Sequence, residues 1–210
     1  MSRFLVVFDV DSTLIEDEVI ELLAEAAGKR DEVKTITDAA MAGDLDFSQS
    51  LSARVAMLAG VPEDALAQAF ARVRVTAGAR ELIAAIHRAG GKAAAVSGGF
   101  SQILEPLAKD LELDFQRANT LEIFDGKLTG KTIGPVIDRS AKAAALAEWA
   151  RELGLTAVST IAVGDGANDL EMMAAAGIGV AFNAKPLVRA SADLVLEGES
   201  LEPLIAILPR

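Results

Sequence analysis

Three short apolar runs, each breaking off into aspartate, serine or glycine, constrain this chain more than any other feature of its 210 residues. Phe4-Leu5-Val6-Val7-Phe8 runs into Asp9-Val10-Asp11-Ser12-Thr13, and Ala93-Ala94-Ala95-Val96 runs into Ser97-Gly98-Gly99. Thr160-Ile161-Ala162-Val163 runs into Gly164-Asp165-Gly166-Ala167-Asn168-Asp169. Apolar runs of this length, set among helical segments, read as buried strands of an α/β protein with a parallel sheet. Ligands of such sheets bind beyond the carboxyl ends of the strands, so three strand ends nominate one site.

The pattern between the runs fills in the fold. Residues 79–89 place Leu82, Ile83 and Ile86 on one helical face and stop at Gly90-Gly91. Further helices are predicted over 101–111, 140–153, 170–176 and 186–191, with Trp149 as a packing residue, and short strands over 178–181 and 194–196. Asp125-Gly126, between Leu121, Ile123 and Leu128, signals a hairpin turn. From Glu16 to Val75 no strand is evident, only helix-compatible segments punctuated by Gly28, Gly43 and Gly60-Val61-Pro62. The expectation is a Rossmann-like parallel sheet flanked by helices, built from 1–15 and 76–210, with a helical cap inserted over 16–75 and a small β-hairpin.

Composition narrows the chemistry. With 51% hydrophobic residues the chain can bury one core and a modest module, and no apolar stretch nears the roughly 20 residues a bilayer requires. No signal-peptide pattern opens the chain, so a soluble, cytoplasmic protein is expected, as a monomer or a homodimer. The absence of cysteine excludes disulfides, thiolate nucleophiles and Cys-based zinc sites, and the single histidine, His87, is placed on a polar helix surface without a role. Any metal should therefore be a hard one with oxygen ligands. A net charge of −11 argues against nucleic acid or an anionic membrane as partner, and a phosphate site in such a protein needs local cations.

The residues at the strand ends fit phosphoryl transfer. Two carboxylates as close as Asp9 and Asp11 repel and take up protons unless a cation or a proton-shuttling role uses them. A carboxylate at Asp9 can act as nucleophile, splitting one displacement into two through an acyl-phosphate. Asp11, two residues on along an extended chain, can reach the leaving oxygen. Ser97 offers a hydroxyl and Gly98 a bare N–H at a helix start, where the dipole favours anions. Each has a plainer alternative: Asp, Ser and Thr favour turns and caps, and Asp165 or Asp169 could cap the helix that follows.

Taken together and in order, Asp9-Val10-Asp11-Ser12-Thr13, Val96-Ser97-Gly98-Gly99-Phe100, Lys142 and Gly164-Asp165-Gly166-Ala167-Asn168-Asp169 resemble the four motifs of the haloacid dehalogenase superfamily. The resemblance covers nearly the whole chain and implies a C1-type cap. It implies Asp9 as nucleophile and Asp11 as the acid that protonates the leaving group and then activates water. It further implies Mg2+ held by Asp9, Asp165 and the main-chain carbonyl of Asp11, with Asp169 supporting the metal indirectly. Lys142 would face the phosphate, although alone it reads as a solvated helix lysine, and Asn168 would bond near the nucleophile.

Within the inserted segment, Glu18, Ala40-Met41, Phe47-Ser48-Gln49-Ser50-Leu51 and Arg54-Val55 are similar to members that hydrolyse O-phospho-L-serine. That resemblance sets Glu18 against the substrate ammonium and Arg54 against its carboxylate, with Met41 and Phe47 walling the pocket; the alternatives are solvated charges and cap core. It implies the last step of serine biosynthesis and a lid motion. The chain departs from it in two places: many relatives carry an amino-acid-binding regulatory domain before the first motif, for which Asp9 is expected to lie too near the N-terminus here, and Ala77 stands where relatives often carry proline. The competing readings are a phosphatase or phosphotransferase for another small phosphorylated metabolite, such as one with a homoserine acceptor, and a phospho-accepting signalling module.

Overall fold

The central strand β1 (Leu5–Phe8) is buried on both faces, and its alternating side chains divide the core into two layers. A computed structural model describes residues 2–42 and 44–209; Met1, Gly43 and Arg210 lie outside the described residues, and with Gly43 the break expected there. Around β1 are β2 (Lys92–Phe100), β3 (Phe115–Phe124), β4 (Lys127–Ile133), β5 (Thr160–Gly164), β6 (Ile178–Phe182) and β7 (Leu194–Leu196). They form one sheet in the order β4-β3-β2-β1-β5-β6-β7, parallel throughout except for β3 with β4.

Among the described residues nine α-helices surround it: α1 (Val19–Ala26), α2 (Arg30–Ala42), α3 (Phe47–Ala56), α4 (Asp64–Phe70), α5 (Ala79–Arg88), α6 (Ser101–Asp110), α7 (Arg139–Glu152), α8 (Leu170–Ala175) and α9 (Pro186–Ser191). Leu5 and Val7 pack with Leu146 and Trp149 of α7, Met172 of α8 and Val188 of α9. Val6 and Phe8 join the opposite layer, with Ile83 and Ile86 of α5 and Ile103 and Leu107 of α6. Trp149 is buried and stacks on Phe115 at 5.6 Å between centroids, the packing role expected of it.

Helices α1–α4 all fall between β1 and β2, and no strand occurs among the described residues of 16–75. The chain leaves and re-enters the sheet layer side by side: Ile15 bridges Val75, the Glu16 N–H donates to the Arg74 carbonyl at 2.9 Å, and the Thr76 N–H donates to the Leu14 carbonyl at 2.9 Å. The insertion leans on the hairpin as well, through Gly60 N–H to Leu128 O and Leu128 N–H to Val61 O, both 2.9 Å. Asp125 and Gly126 both take positive φ, 50° and 70°, as a two-residue hairpin turn requires. The hairpin is not a separate appendage, because β3 also pairs in parallel with β2.

Three expectations are corrected. Strand β2 continues through Ser97, Gly98 and Gly99 to Phe100, so the Gly98 N–H lies in extended backbone and not at a helix start, while α6 begins at Ser101 as expected. The chain after Asp9 does not stay extended but coils, with Ser12 at φ 58° and Ile15 N–H donating to Val10 O at 3.0 Å. His87 is not a bare surface residue: its Nε2 meets Asp114 Oδ2 at 2.9 Å, and Lys92 Nζ donates to the same carboxylate at 2.5 Å.

Candidate active site

The carboxyl ends of β1, β2 and β5 converge, and each delivers its polar group there because the chain must turn away from the sheet. Asp9 follows the last residue of β1, and its N–H still donates to Val163 O of β5 at 2.8 Å. The side chain is buried, and its Oδ1 accepts from Lys142 Nζ at 2.6 Å. Asp138 caps α7 by accepting from Ala141 N–H at 2.9 Å, which fixes the first turn that carries Lys142. Lys142 is wholly buried and donates to Asp169 Oδ1 at 2.7 Å as well as to Asp9. It is no solvated helix lysine.

Asp169 does not cap α8 by its side chain. Its Oδ2 instead accepts from the N–H groups of Asp165 and Gly166, both at 3.1 Å, and so holds the loop that presents Asp165. Thr13 Oγ1 donates to Asp165 Oδ1 at 3.4 Å. Carboxylate oxygens of Asp9, Asp165 and Asp169 lie within 4.8 Å of one another, all three buried. Burial pushes the Asp9 carboxyl up to about 7, with the Asp169 charge adding to the shift and Lys142 opposing it. Asp165 is raised well above the carboxylate range by burial first and then by Asp9 and Asp169. Burial would lower Lys142, yet Asp169 and Asp9 outweigh it and the ammonium is held protonated. One lysine among three buried carboxylates leaves negative charge for a hard, oxygen-liking divalent cation, and the donor set fits Mg2+.

Asp11 belongs to a different part of the site, since its carboxylate is not in that triad. Its Oδ2 accepts from Ser97 Oγ at 3.1 Å and its Oδ1 from the Val19 N–H at 2.8 Å, which ties the first turn of α1 to the end of β1. Burial raises its pKa while those two hydrogen bonds hold it down. Ser97 Oγ also accepts from Gly99 N–H at 2.7 Å.

Above this floor the insertion contributes Glu18, Met41, Phe47 and Arg54, which with Asp9, Asp11, Gly98 and Asn168 line a cavity of about 30 Å³. Glu18 Oε1 accepts from Ser12 Oγ at 2.8 Å, and burial together with the Asp11 charge pushes its carboxyl up to about 8. Arg54 is buried, and its guanidinium donates from Nε to Ser50 O at 3.2 Å and from Nη1 to Thr37 Oγ1 at 3.1 Å. No ion pair joins it to a carboxylate among the described residues, and burial lowers its pKa. Met41 and Phe47 seal the cavity against glycine: a Cβ on Gly98 would run into the Phe47 ring, and one on Gly166 into Met41. Asn168 Oδ1 is buried without a hydrogen-bond partner among the described residues, an acceptor waiting for a ligand donor. An outer cavity of about 310 Å³ adjoins the inner one across Glu18 and Met41.

Every residue proposed from the sequence for catalysis, substrate or metal thus falls at one locus. Ile20 lines it without having been singled out, and four polar residues that touch it were not singled out either. Thr13 and Ser12 lay inside the first motif but carried no assigned contact. Thr37 and Asn119 gave no local signal, since their partners are distant in sequence. Asn119, buried on β3, donates to Gly98 O and accepts from Ile137 N–H, both at 2.8 Å, joining the β2 end to the segment that leads into α7.

A mostly parallel sheet with a helical insertion, a buried aspartate at the end of its first strand, and a lysine bridging that aspartate to a second acidic loop are the features of a haloacid dehalogenase-like hydrolase. The family model for haloacid dehalogenase-like hydrolases matches residues 6–174, and the chain belongs to that family. Its relatives carry a narrower name. The chain is 52% identical over 204 residues to a phosphoserine phosphatase of Streptomyces coelicolor, covering 97% of this chain and 50% of that protein. It is 48% identical over 204 residues to a phosphoserine phosphatase of Streptococcus thermophilus, covering 97% of this chain and 95% of that one. The chain therefore spans about half the length of the first relative and nearly all of the second. A solved structure described as a phospho-aspartyl intermediate analogue of phosphoserine phosphatase superposes with TM-score 0.97 at 40% identity, covering both chains fully.

Proposed function

We propose that this chain is a Mg2+-dependent phosphoserine phosphatase, releasing L-serine and phosphate from O-phospho-L-serine through an aspartyl-phosphate. One observation carries the reading. One cavity is lined by Asp9 and Asp11, which Lys142 and Ser97 hold from behind, and also by Glu18 and the guanidinium of Arg54, which forms no ion pair among the described residues; phosphoryl chemistry at one pole thus faces an amino-acid receptor at the other. A buried cation without a counter-ion is costly, and a substrate carboxylate supplies the missing charge.

In the first half-reaction an Asp9 carboxylate oxygen bonds to phosphorus as the ester P–O bond breaks, and Asp11 gives its proton to the departing serine oxygen. Burial, which keeps Asp11 protonated beyond the usual carboxylate range, suits it to that donation. In the second half-reaction Asp11, now ionised, takes a proton from water. The water oxygen bonds to phosphorus, and Asp9 leaves as a carboxylate. Lys142 holds Asp9 in line and offsets phosphoryl charge together with the Gly98 N–H, while Asn168 bonds beside them. When bound by Asp9, Asp165 and the Asp11 carbonyl, with Asp169 behind them, Mg2+ would neutralise charge on the phosphoryl oxygens.

The 30 Å³ chamber is far below the few hundred Å³ of ordinary small-molecule sites, so substrate entry requires the insertion to lift as a cap over 16–75. No helix among the described residues is long and apolar enough to cross a membrane. The reading places the protein in the cytoplasm, as a monomer or homodimer, in the last step of serine biosynthesis. The test is phosphate release from O-phospho-L-serine with Mg2+ or EDTA, beside phosphothreonine, a sugar phosphate and an aryl phosphate. Metal-dependent preference for phosphoserine supports the proposal. Turnover of the others alone would keep the phosphoryl chemistry and discard the substrate.

A further inference from the structure

We propose that Thr37 is a positioning residue that sets the pose of the Arg54 guanidinium, and with it the preference for a phosphate ester bearing a carboxylate; this rests on the assignment of Arg54 to the substrate carboxylate. Thr37 lies on α2, one turn before Met41, and is 2% exposed. Its Oγ1 donates to Val33 O at 3.0 Å and accepts from Arg54 Nη1 at 3.1 Å. A hydroxyl has one proton, and with that proton committed to the helix backbone only lone pairs face the guanidinium.

The second hold on Arg54 is Nε to Ser50 O at 3.2 Å, and the group sits 6.0 Å from the Phe47 ring centroid. One contact would leave the guanidinium plane free to swing; two fix it. Of the five N–H donors two are used, which leaves three for a ligand. Both hydrogen-bond partners are neutral oxygens, and the carboxylates of Glu18 and Asp11 act on the charge only through space, without an ion pair among the described residues. Arg72, Arg74 and Arg80, by contrast, are each paired with carboxylates. Thr37 does not line the inner chamber but the outer cavity behind it, so any effect on the substrate passes through Arg54.

The experiment is steady-state kinetics of the full chain with Mg2+ for Thr37→Val, Thr37→Ser and Arg54→Ala. The substrates are O-phospho-L-serine and phosphoethanolamine, which keeps the ammonium and lacks the carboxylate. Thr37→Val is expected to raise KM for phosphoserine about tenfold, with kcat within about twofold and the phosphoethanolamine constants unmoved. Thr37→Ser restores the hydroxyl and is expected to restore KM. If the valine variant fails to fold, Thr37→Ala, which adds no methyl against the guanidinium, is expected to show the same selective rise. Unchanged phosphoserine KM in these variants, or equal losses on both substrates, with Arg54→Ala still selective, overturns the role of Thr37 and leaves that of Arg54. Equal losses on both substrates in Arg54→Ala overturn both.

Discussion

Lys142 is the residue on which the electrostatics of the site turns, because a wholly buried ammonium bridges two buried carboxylates at 2.6 and 2.7 Å. Removing one partner of such a cluster leaves charge unpaired in the interior. Lys142→Met is therefore expected to lose about 3–5 kcal/mol of stability, seen as a lower urea midpoint, along with turnover; an unmoved midpoint would contradict the pairing. Asp9→Asn keeps the shape and removes the proposed nucleophile. It is expected to reduce phosphate release at least about a thousandfold with an unchanged circular dichroism spectrum. A pH signature belongs to the same scale. Asp9 and Glu18 are raised, by burial first, from 3.8 to about 7 and from 4.5 to about 8. Raised carboxyls contribute stability that is whole below their unfolded values and is lost as pH rises through the folded ones. The cation-free protein should thus lose several degrees of Tm between about pH 5 and pH 8.5. Mg2+, which binds the ionised cluster, should raise Tm more at the upper end than at the lower; a Tm insensitive to both would show the cluster ionised and already compensated.

At the level of elements, the close approach of α3 to the β2 end is permitted by a missing side chain, since a methyl on Gly98 would meet the Phe47 ring. Gly98→Ala is expected to lower kcat/KM for phosphoserine at least about tenfold, with part restored by Phe47→Leu in the same chain. Full activity in the alanine variant would show that the working state keeps these elements further apart. The strands themselves were legible because burial on both faces forces apolar runs, and their polar ends were legible because a strand facing a ligand must stop in carboxylate, hydroxyl or glycine. The hairpin was legible from Asp125-Gly126, where two positive φ angles select the residues. What could not be read was set by partners far along the chain. Strand β2 outruns its apolar residues because it pairs with β3 as far as Phe100 with Asn119. Thr37 meets Arg54 seventeen positions away, and His87 meets Asp114 twenty-seven away. Neither pair leaves a period or a spacing that a sequence displays.

For the whole molecule, the proposed function divides the work between a sheet whose ends carry Asp9, Asp11, Ser97 and Asp165 and an insertion that carries Glu18, Met41, Phe47 and Arg54. The cavity of about 30 Å³ is narrow where the insertion rests on the sheet ends, with Phe47 against Gly98 and Met41 against Gly166. Hydrogen exchange followed across the chain is expected to slow in 16–75 when Mg2+ and an unreactive phosphoserine analogue are added, with the amides of β1 and β5 unmoved. Equal protection with and without the analogue would count against a moving cap. The paired crossing of Ile15 with Val75, bonded through Glu16 with Arg74 and Leu14 with Thr76, means that the insertion enters and leaves the sheet through a single doorway. Such a segment can be transplanted. Splicing at that doorway a helical segment of different selectivity should yield a chimera with the donor's choice of substrate and this chain's own rate of phosphate release, because no strand of the sheet is interrupted by the exchange.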